Sequence, residues 1–200
     1  MKAIICKKAG GPEVLHLAEI QQPIPKEKEI LIRVQAATVT RGDVILRKMN
    51  PIVALLLGVF GVRKMKIPGV EFAGEIAETG KDVSQFKTGD KVFGTTTGLR
   101  FGANAEYVAV PEHSRQGVLS LMPSNATFAE AAALPVGAMT ALYLLRRVNI
   151  QKGDNVMIYG ASGSVGTFAV QLAKQVFNAK VTGICSSGNL DMVKSLGADE

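Results

Sequence analysis

The stretch Asn155–Gly166, NVMIYGASGSVG, carries the residue types and spacing best suited to chemistry. Val156, Met157, Ile158 and Tyr159 form a short apolar run bounded by turn residues, the pattern of a buried parallel strand. Gly160, Gly163 and Gly166 follow at G-x-x-G-x-x-G spacing, with an apolar-faced helix expected directly behind them. A helix starting in such a turn presents unpaired backbone N–H groups and the positive end of its dipole, so a pyrophosphate can sit there directly. In that reading Gly160 permits the tight turn, Gly163 the close approach of phosphate oxygens, and Gly166 close packing of helix on strand. Val165, Phe168, Ala169, Leu172, Ala173 and Val176 fall on one helical face, and Lys180–Cys185 supplies a second strand, completing β-α-β. Strand-to-helix turns are also glycine-rich for conformational reasons alone. The flanking elements stand where the motif requires them, which favours dinucleotide binding over that alternative.

The end of the second strand bears on which dinucleotide. A site for NAD usually has Asp or Glu about 20 residues past the glycines, accepting from the ribose hydroxyls. Here Cys185, Ser186, Ser187, Gly188 and Asn189 stand there, with no carboxylate before Asp191. Two hydroxyls can donate to a 2′-phosphate, and no negative charge repels it. NADPH is favoured over NADH, although no Arg or Lys stands at this turn and Lys194 is the nearest candidate. The cofactor-binding candidates are therefore Gly160, Ala161, Ser162, Gly163, Ser164, Val165, Gly166, Cys185, Ser186, Ser187 and Asn189.

These residues need a scaffold, and 200 residues with 47% apolar content can bury one. The longest apolar run, Ile52–Phe60, is far short of the ~18 residues of a membrane helix. It reads as a buried turn or a lid over a pocket, with a membrane-surface anchor as the weaker alternative. The first residues lead straight into a strand without a secretory apolar region, so a cytoplasmic protein is expected. Cys6 and Cys185 form no C-x-x-C pair or cysteine–histidine cluster, which disfavours disulfide scaffolding and structural zinc. The net charge of +6 is dispersed, with Arg63–Lys66 and Arg146–Arg147 as the tightest groups. Without a basic stripe or a nucleic-acid motif, neither nucleic acid nor membrane is an expected partner.

The first ~125 residues read as mostly β, with turn signals at short intervals. Strands are expected at Lys2–Lys8, Val14–Ile20, Glu29–Val39, Val70–Thr79, Lys91–Thr95 and Ala105–Val110, and a short helix at Arg41–Lys48. Thr127–Val148 is rich in Ala and Leu and predicts a long helix that Pro135 interrupts or kinks. A doubly wound sheet needs several parallel strands covered on both faces, and only two are supplied before Glu200. The front part of a longer protein is the expectation.

Motifs in fixed order along the whole chain resemble the medium-chain dehydrogenase/reductase superfamily, in its zinc-independent quinone oxidoreductase branch. They are MKAIICKKAGGPEVL, VQAATVTRGDVILRK, PGVEFAGEIAETGKDVSQFKTGDKVFG, AEYVAVPE, AAALPVGAMTALYLL, YGASGSVG and CSSGNLDMVKSLGADE. The resemblance implies an α/β chain: a GroES-like β-rich catalytic domain over residues 1–125, then the first β-α-β part of a Rossmann doubly wound nucleotide-binding domain over 126–200. It also implies a homodimer formed through the nucleotide domain. Zinc-bearing relatives have a cysteine where Thr40 stands in TRGD and a histidine where Val70 stands in PGVE. Neither Thr nor Val holds zinc as thiolate and imidazole do, so no zinc is expected.

What remains is direct hydride transfer to an electrophilic carbon, with the protein supplying position, desolvation and a donor for the developing oxyanion. By motif position the cleft candidates are Thr40, Asp43, Arg47, Phe93, Asn104 and Thr140, the last resembling the family threonine that lies against the nicotinamide. Asp43 reads equally as the carboxylate of a helix N-terminus. Glu71 is either a cleft acid or a satisfied structural carboxylate, and His16, His113 and Tyr107 read as structural or surface residues. The leading expectation is an NADPH-dependent reductase of quinones, enones or related small electrophiles. An NADP-dependent alcohol/aldehyde oxidoreductase and a non-catalytic NADPH-binding module are the alternatives.

Overall fold

The computed structural model describes residues 1–49, 66–96, 102–114 and 118–200. The apolar run Ile52–Phe60 and residues 63–65 of the basic group lie outside them. Contacts divide the chain into two compact units, Met1–Pro135 and Val136–Glu200.

In the first unit, β1 (Lys2–Cys6) pairs antiparallel with β2 (Leu15–Glu19). The main sheet comprises β3 (Glu29–Ala37), β4 (Glu71–Thr79), β5 (Lys91–Thr95), β6 (Tyr107–Pro111) and β7 (Val118–Leu121), ordered β6-β3-β4-β5-β7 with antiparallel neighbours. Alternation explains its core. Residues two apart on a strand share a face, so Ile30 with Ile32 and Val108 with Val110 join Phe72, Ile76 and Val92 in one buried cluster. Ala73, next to Phe72, points to the other face and meets Ala131 and Ala132 with Phe93 and Phe128 beside them. Those alanines belong to a short helix, α2 (Phe128–Ala132). The alanine-rich stretch expected to lead into the nucleotide-binding part is thus two helices, and the first covers the β-sheet. By contacts the division falls after Pro135, ten residues beyond the expected boundary.

A further α-helix among the described residues of this unit, α1 (Arg41–Lys48), has the expected bounds. β7 was not foreseen; its four residues, VLSL, are too few to show alternation.

In the second unit, α3 (Gly137–Arg147) precedes β8 (Asn155–Tyr159), α4 (Ser164–Gln175), β9 (Lys180–Ile184) and α5 (Leu190–Ser195). β8 and β9 are parallel, Asn155 opposite Lys180 and Tyr159 opposite Ile184. Their core gathers Ala141 and Leu145 of α3, Ile158, Val181, Val193 and the α4 residues Ala169, Val170 and Ala173. The expected α4 face needs one correction: Val176 is 59% exposed, while Val170, left off that face, is fully buried. The helix packs on α3 as well as on the strands, so its buried arc is wider than a single stripe. The Asp199 carboxylate accepts from Lys174 Nζ (2.5 Å) and Val181 N (2.8 Å), fastening the last residues to α4 and β9. Among the described residues no helix is long and apolar enough to cross a membrane.

Candidate nucleotide-binding site

The turn after β8 is held first by backbone hydrogen bonds. Gly160 N and Ala161 N donate to Ile184 O at 2.9 and 3.0 Å, tying the turn to the end of β9, and Gly163 N returns to Gly160 O at 2.9 Å. Gly160 has φ +78°, the left-handed region that glycine enters without strain. Gly166 is required by proximity: a Cβ there would stand 2.1 Å from Gly160 O. Gly163 is the N-cap of α4, no side chain caps the helix, and no acidic residue lies in its first turn. The first N–H groups of α4 thus keep their donor capacity. A Cβ on Gly163 would meet Gly160 O closely, at 3.3 Å, and no other such neighbour within 4 Å, so Gly163 is less crowded than Gly166. Anion-binding donors at a helix start are the chemistry a pyrophosphate needs.

Beyond the turn, Asn189 Nδ2 donates to Ser162 Oγ (3.2 Å) and Ser186 Oγ (2.9 Å). The structure therefore brings together two predicted segments, the glycine turn and the end of β9. Ser186 and Ser187 are exposed, and Ser162 and Asn189 half-buried. Ala161 is fully buried, and Val165 and Cys185 pack against the apolar core of the unit, so their side chains do not face the polar rim. Ala161 and Val165 can contribute only backbone groups.

Thr140 lies on α3 with its side chain exposed. Gly137 explains its place: a Cβ there would come within 2.8 Å of Ser164 Oγ and 3.0 Å of the Phe168 ring, so α3 starts directly against the first turn of α4. Sequence reasoning passed over Gly137; a glycine opening an otherwise alanine- and leucine-rich helix was the available signal. A largely apolar groove of about 550 Å³, lined by Ala141, Leu145, Met157, Tyr159 and Val165 among others, runs up to Gly160 and Gly163.

The candidates in the first unit are placed differently. Thr40 and Asp43 form a reciprocal capping box on α1: Thr40 N and Oγ1 each donate to Asp43 Oδ2 at 2.8 Å, and Asp43 N returns to Thr40 Oγ1 at 3.3 Å. Of the two readings of Asp43, the helix-terminal carboxylate is the observed one. Its other oxygen, Oδ1, is buried without a hydrogen-bond partner. Arg47 Nε donates to Gly10 O at 3.2 Å, joining α1 to the loop after β1. Phe93 packs with Ala73 and the α2 alanines. Glu71 is buried and accepts from Thr38 Oγ1 at 2.6 Å, the satisfied-carboxylate reading. Asn104 is held through its backbone, Asn104 N to Pro68 O and Ile4 N to Asn104 O, while its half-buried side-chain amide makes no hydrogen bond among the described residues. His16 is exposed, and His113 is exposed beside Glu112. At the two positions where zinc-bearing relatives place ligands, the Thr40 hydroxyl is engaged in the cap and Val70 offers only hydrocarbon.

Fold and turn define a class: a GroES-like β-sheet unit followed by the opening β-α-β of a dinucleotide-binding unit. Residues 26–123 match the alcohol dehydrogenase GroES-like domain. A quinone-oxidoreductase homolog of Spinacia oleracea, named chloroplastic, is 39% identical over 197 residues, covering 96% of this chain and 57% of the relative. An NADPH-dependent alkenal/one oxidoreductase of Arabidopsis thaliana is 35% identical, covering 100% of this chain and 51% of the relative. The solved quinone oxidoreductase from Coxiella burnetii superposes with a TM-score of 0.85 at 33% identity, over 100% of this chain and 61% of that one. Along its whole length the chain is similar to quinone oxidoreductases of the medium-chain dehydrogenase/reductase superfamily. It spans a little over half the length of these curated relatives.

Proposed function

We propose that this chain carries the pyrophosphate-binding turn of an NADPH-dependent, zinc-independent reductase of quinones, enones or similar small electrophiles. The observation that supports it most is the uncapped start of α4 at Gly163, bordered by serines and an asparagine in place of a carboxylate. In this reading the first N–H groups of α4 hold the pyrophosphate, and Ser162, Ser186 and Ser187 face the adenosine end. Thr140, one helical turn beyond the Gly137 contact, lies toward the nicotinamide. Bound NADPH supplies the hydride, delivered to an electrophilic carbon. In the first unit Asn104, with its amide uncommitted, is the residue we assign to donate to a substrate oxygen; Thr40, Asp43 and Arg47 serve the scaffold. Small-molecule substrates and a homodimer are the partners of this reading. The relatives' names supply the substrate classes.

Fluorescence titration with NADPH and NADH, followed by turnover against a quinone, an enone and an aldehyde with and without a chelator, tests it. Tighter NADPH binding with chelator-resistant quinone or enone turnover is the expected result. Binding without turnover of any acceptor would support a binding module, and turnover abolished by chelator would overturn the zinc-free reading. Several relatives carry chloroplastic or mitochondrial names. We place this chain in the cytoplasm, and fractionation showing it in an organelle would refute that.

A further inference from the structure

We propose that Asn189 sets the dinucleotide preference of this site by fixing two serine hydroxyls as donors. The inference rests on the reading of the glycine turn as a nucleotide site. Asn189 is the residue before α5 and stands at its N-cap, where an asparagine ordinarily accepts from the helix's first N–H groups. Here its side chain makes no such bond. Instead Nδ2 reaches Ser162 Oγ in the glycine turn and Ser186 Oγ past β9, at 3.2 and 2.9 Å.

Direction is what matters. An amide nitrogen has two protons and accepts nothing, whereas a hydroxyl has one proton and two lone pairs. Each serine oxygen is therefore the acceptor toward Asn189, and among the described residues neither hydroxyl has an acceptor for its own proton. Both protons are left for a ligand. A phosphate monoester offers only acceptor oxygens and is matched by such a pair. A ribose with free hydroxyls is best met by a carboxylate, and residues 185–190 contain no carboxylate. Without an arginine or lysine at residues 185–190, selectivity must come from hydroxyl polarity and from the absence of negative charge. Asn189 is thus a positioning residue acting through Ser162 and Ser186.

The test measures binding of 2′,5′-ADP and 5′-AMP, which isolate the adenosine end, by calorimetry on the 200-residue chain. Wild type is expected to favour 2′,5′-ADP. Asn189→Ala should weaken 2′,5′-ADP by roughly tenfold and shift 5′-AMP by no more than about twofold. Asn189→Asp, which reverses the bond direction and adds charge, should cost more still. In the background of Ser162→Ala with Ser186→Ala, removing Asn189 should add almost nothing, because the residues act as one unit. That cycle reads the same coupling should the single variant fold poorly.

Equal losses for both nucleotides in Asn189→Ala, or additive losses in the cycle, would show a merely structural role and overturn the proposal. Wild type binding the two nucleotides equally would also overturn it while leaving the nucleotide site intact. Wild type binding neither would overturn the site reading and this inference together.

Discussion

A methyl group on Gly166 would stand 2.1 Å from Gly160 O and 2.8 Å from Ala161 Cα, both rigid backbone, whereas one on Gly163 would meet only Gly160 O at 3.3 Å. Two glycines of the same motif therefore answer to different demands. Gly166→Ala should destabilise the chain by about 1–3 kcal/mol through overpacking, read by denaturant unfolding. Gly163→Ala should cost less, about 1 kcal/mol or under, through its 3.3 Å contact with Gly160 O and the poorer N-cap, and Gly163→Val should abolish NADPH binding by filling the space above the helix start. A Gly163→Val chain that binds NADPH normally would remove the pyrophosphate from this turn. At the residue scale the spacing in the sequence was informative about Gly160 and Gly166, because a turn and a close approach are local demands. The pairing of Ser162 with Ser186 through Asn189 was not, because hydrogen-bond direction across 27 residues exists only once β8 and β9 lie side by side.

At the scale of elements, both capping boxes have the Thr-x-x-acid form, Thr40 with Asp43 and Thr127 with Glu130. Thr127→Ala should cost about 1 kcal/mol, the ordinary worth of an N-cap. Thr40→Ala should cost more than that, since it also strips the Oγ1–Oδ2 hydrogen bond from a buried carboxylate whose Oδ1 has no partner. Equal losses in denaturant unfolding would show that the burial of Asp43 adds nothing. The bounds of α1, β5 and β8 were legible because their start and stop signals are local. Where α2 packs was not: its alanines suit a helix anywhere, and the small side chain of Ala73 on the sheet decided it. Val170 was misplaced for a related reason, since a periodicity argument assumes one buried face and α4 has neighbours on two sides.

For the whole molecule, carboxylates fix backbone N–H groups, two of them between distant segments and one within a helix cap. Gln85 N and Ser84 N donate to Glu112, the Thr127 N–H to Glu130, and the Lys174 ammonium with Val181 N to Asp199. Each carboxyl is held below its ordinary range, chiefly by the Gln85 N–H, the Thr127 N–H and the Lys174 ammonium respectively. A carboxyl lowered by folding binds fewer protons in the native state than in the unfolded chain. Its contribution is complete above the ordinary carboxylate range of about 4 and is lost as pH falls through the lowered value. The melting temperature should therefore be flat near neutrality and drop in acid, and Asp199→Asn should lower the neutral plateau while shrinking that drop. An unchanged acid slope in Asp199→Asn would rule out the Lys174–Asp199 clasp as a contributor.

The order of motifs, the β-rich start, the glycine turn and the missing carboxylate after β9 follow from the sequence alone, because each is a local pattern that short-range sterics and charge enforce. Tertiary structure decided which candidates hold the scaffold and which keep free polar atoms. Among the described residues the Thr40 hydroxyl, Asp43 Oδ2 and Arg47 Nε are engaged, whereas Asp43 Oδ1, the Asn104 amide and the Ser162 and Ser186 hydroxyl protons are not. The reason is that a side chain's remaining hydrogen-bonding capacity depends on which distant groups the packed chain sets beside it.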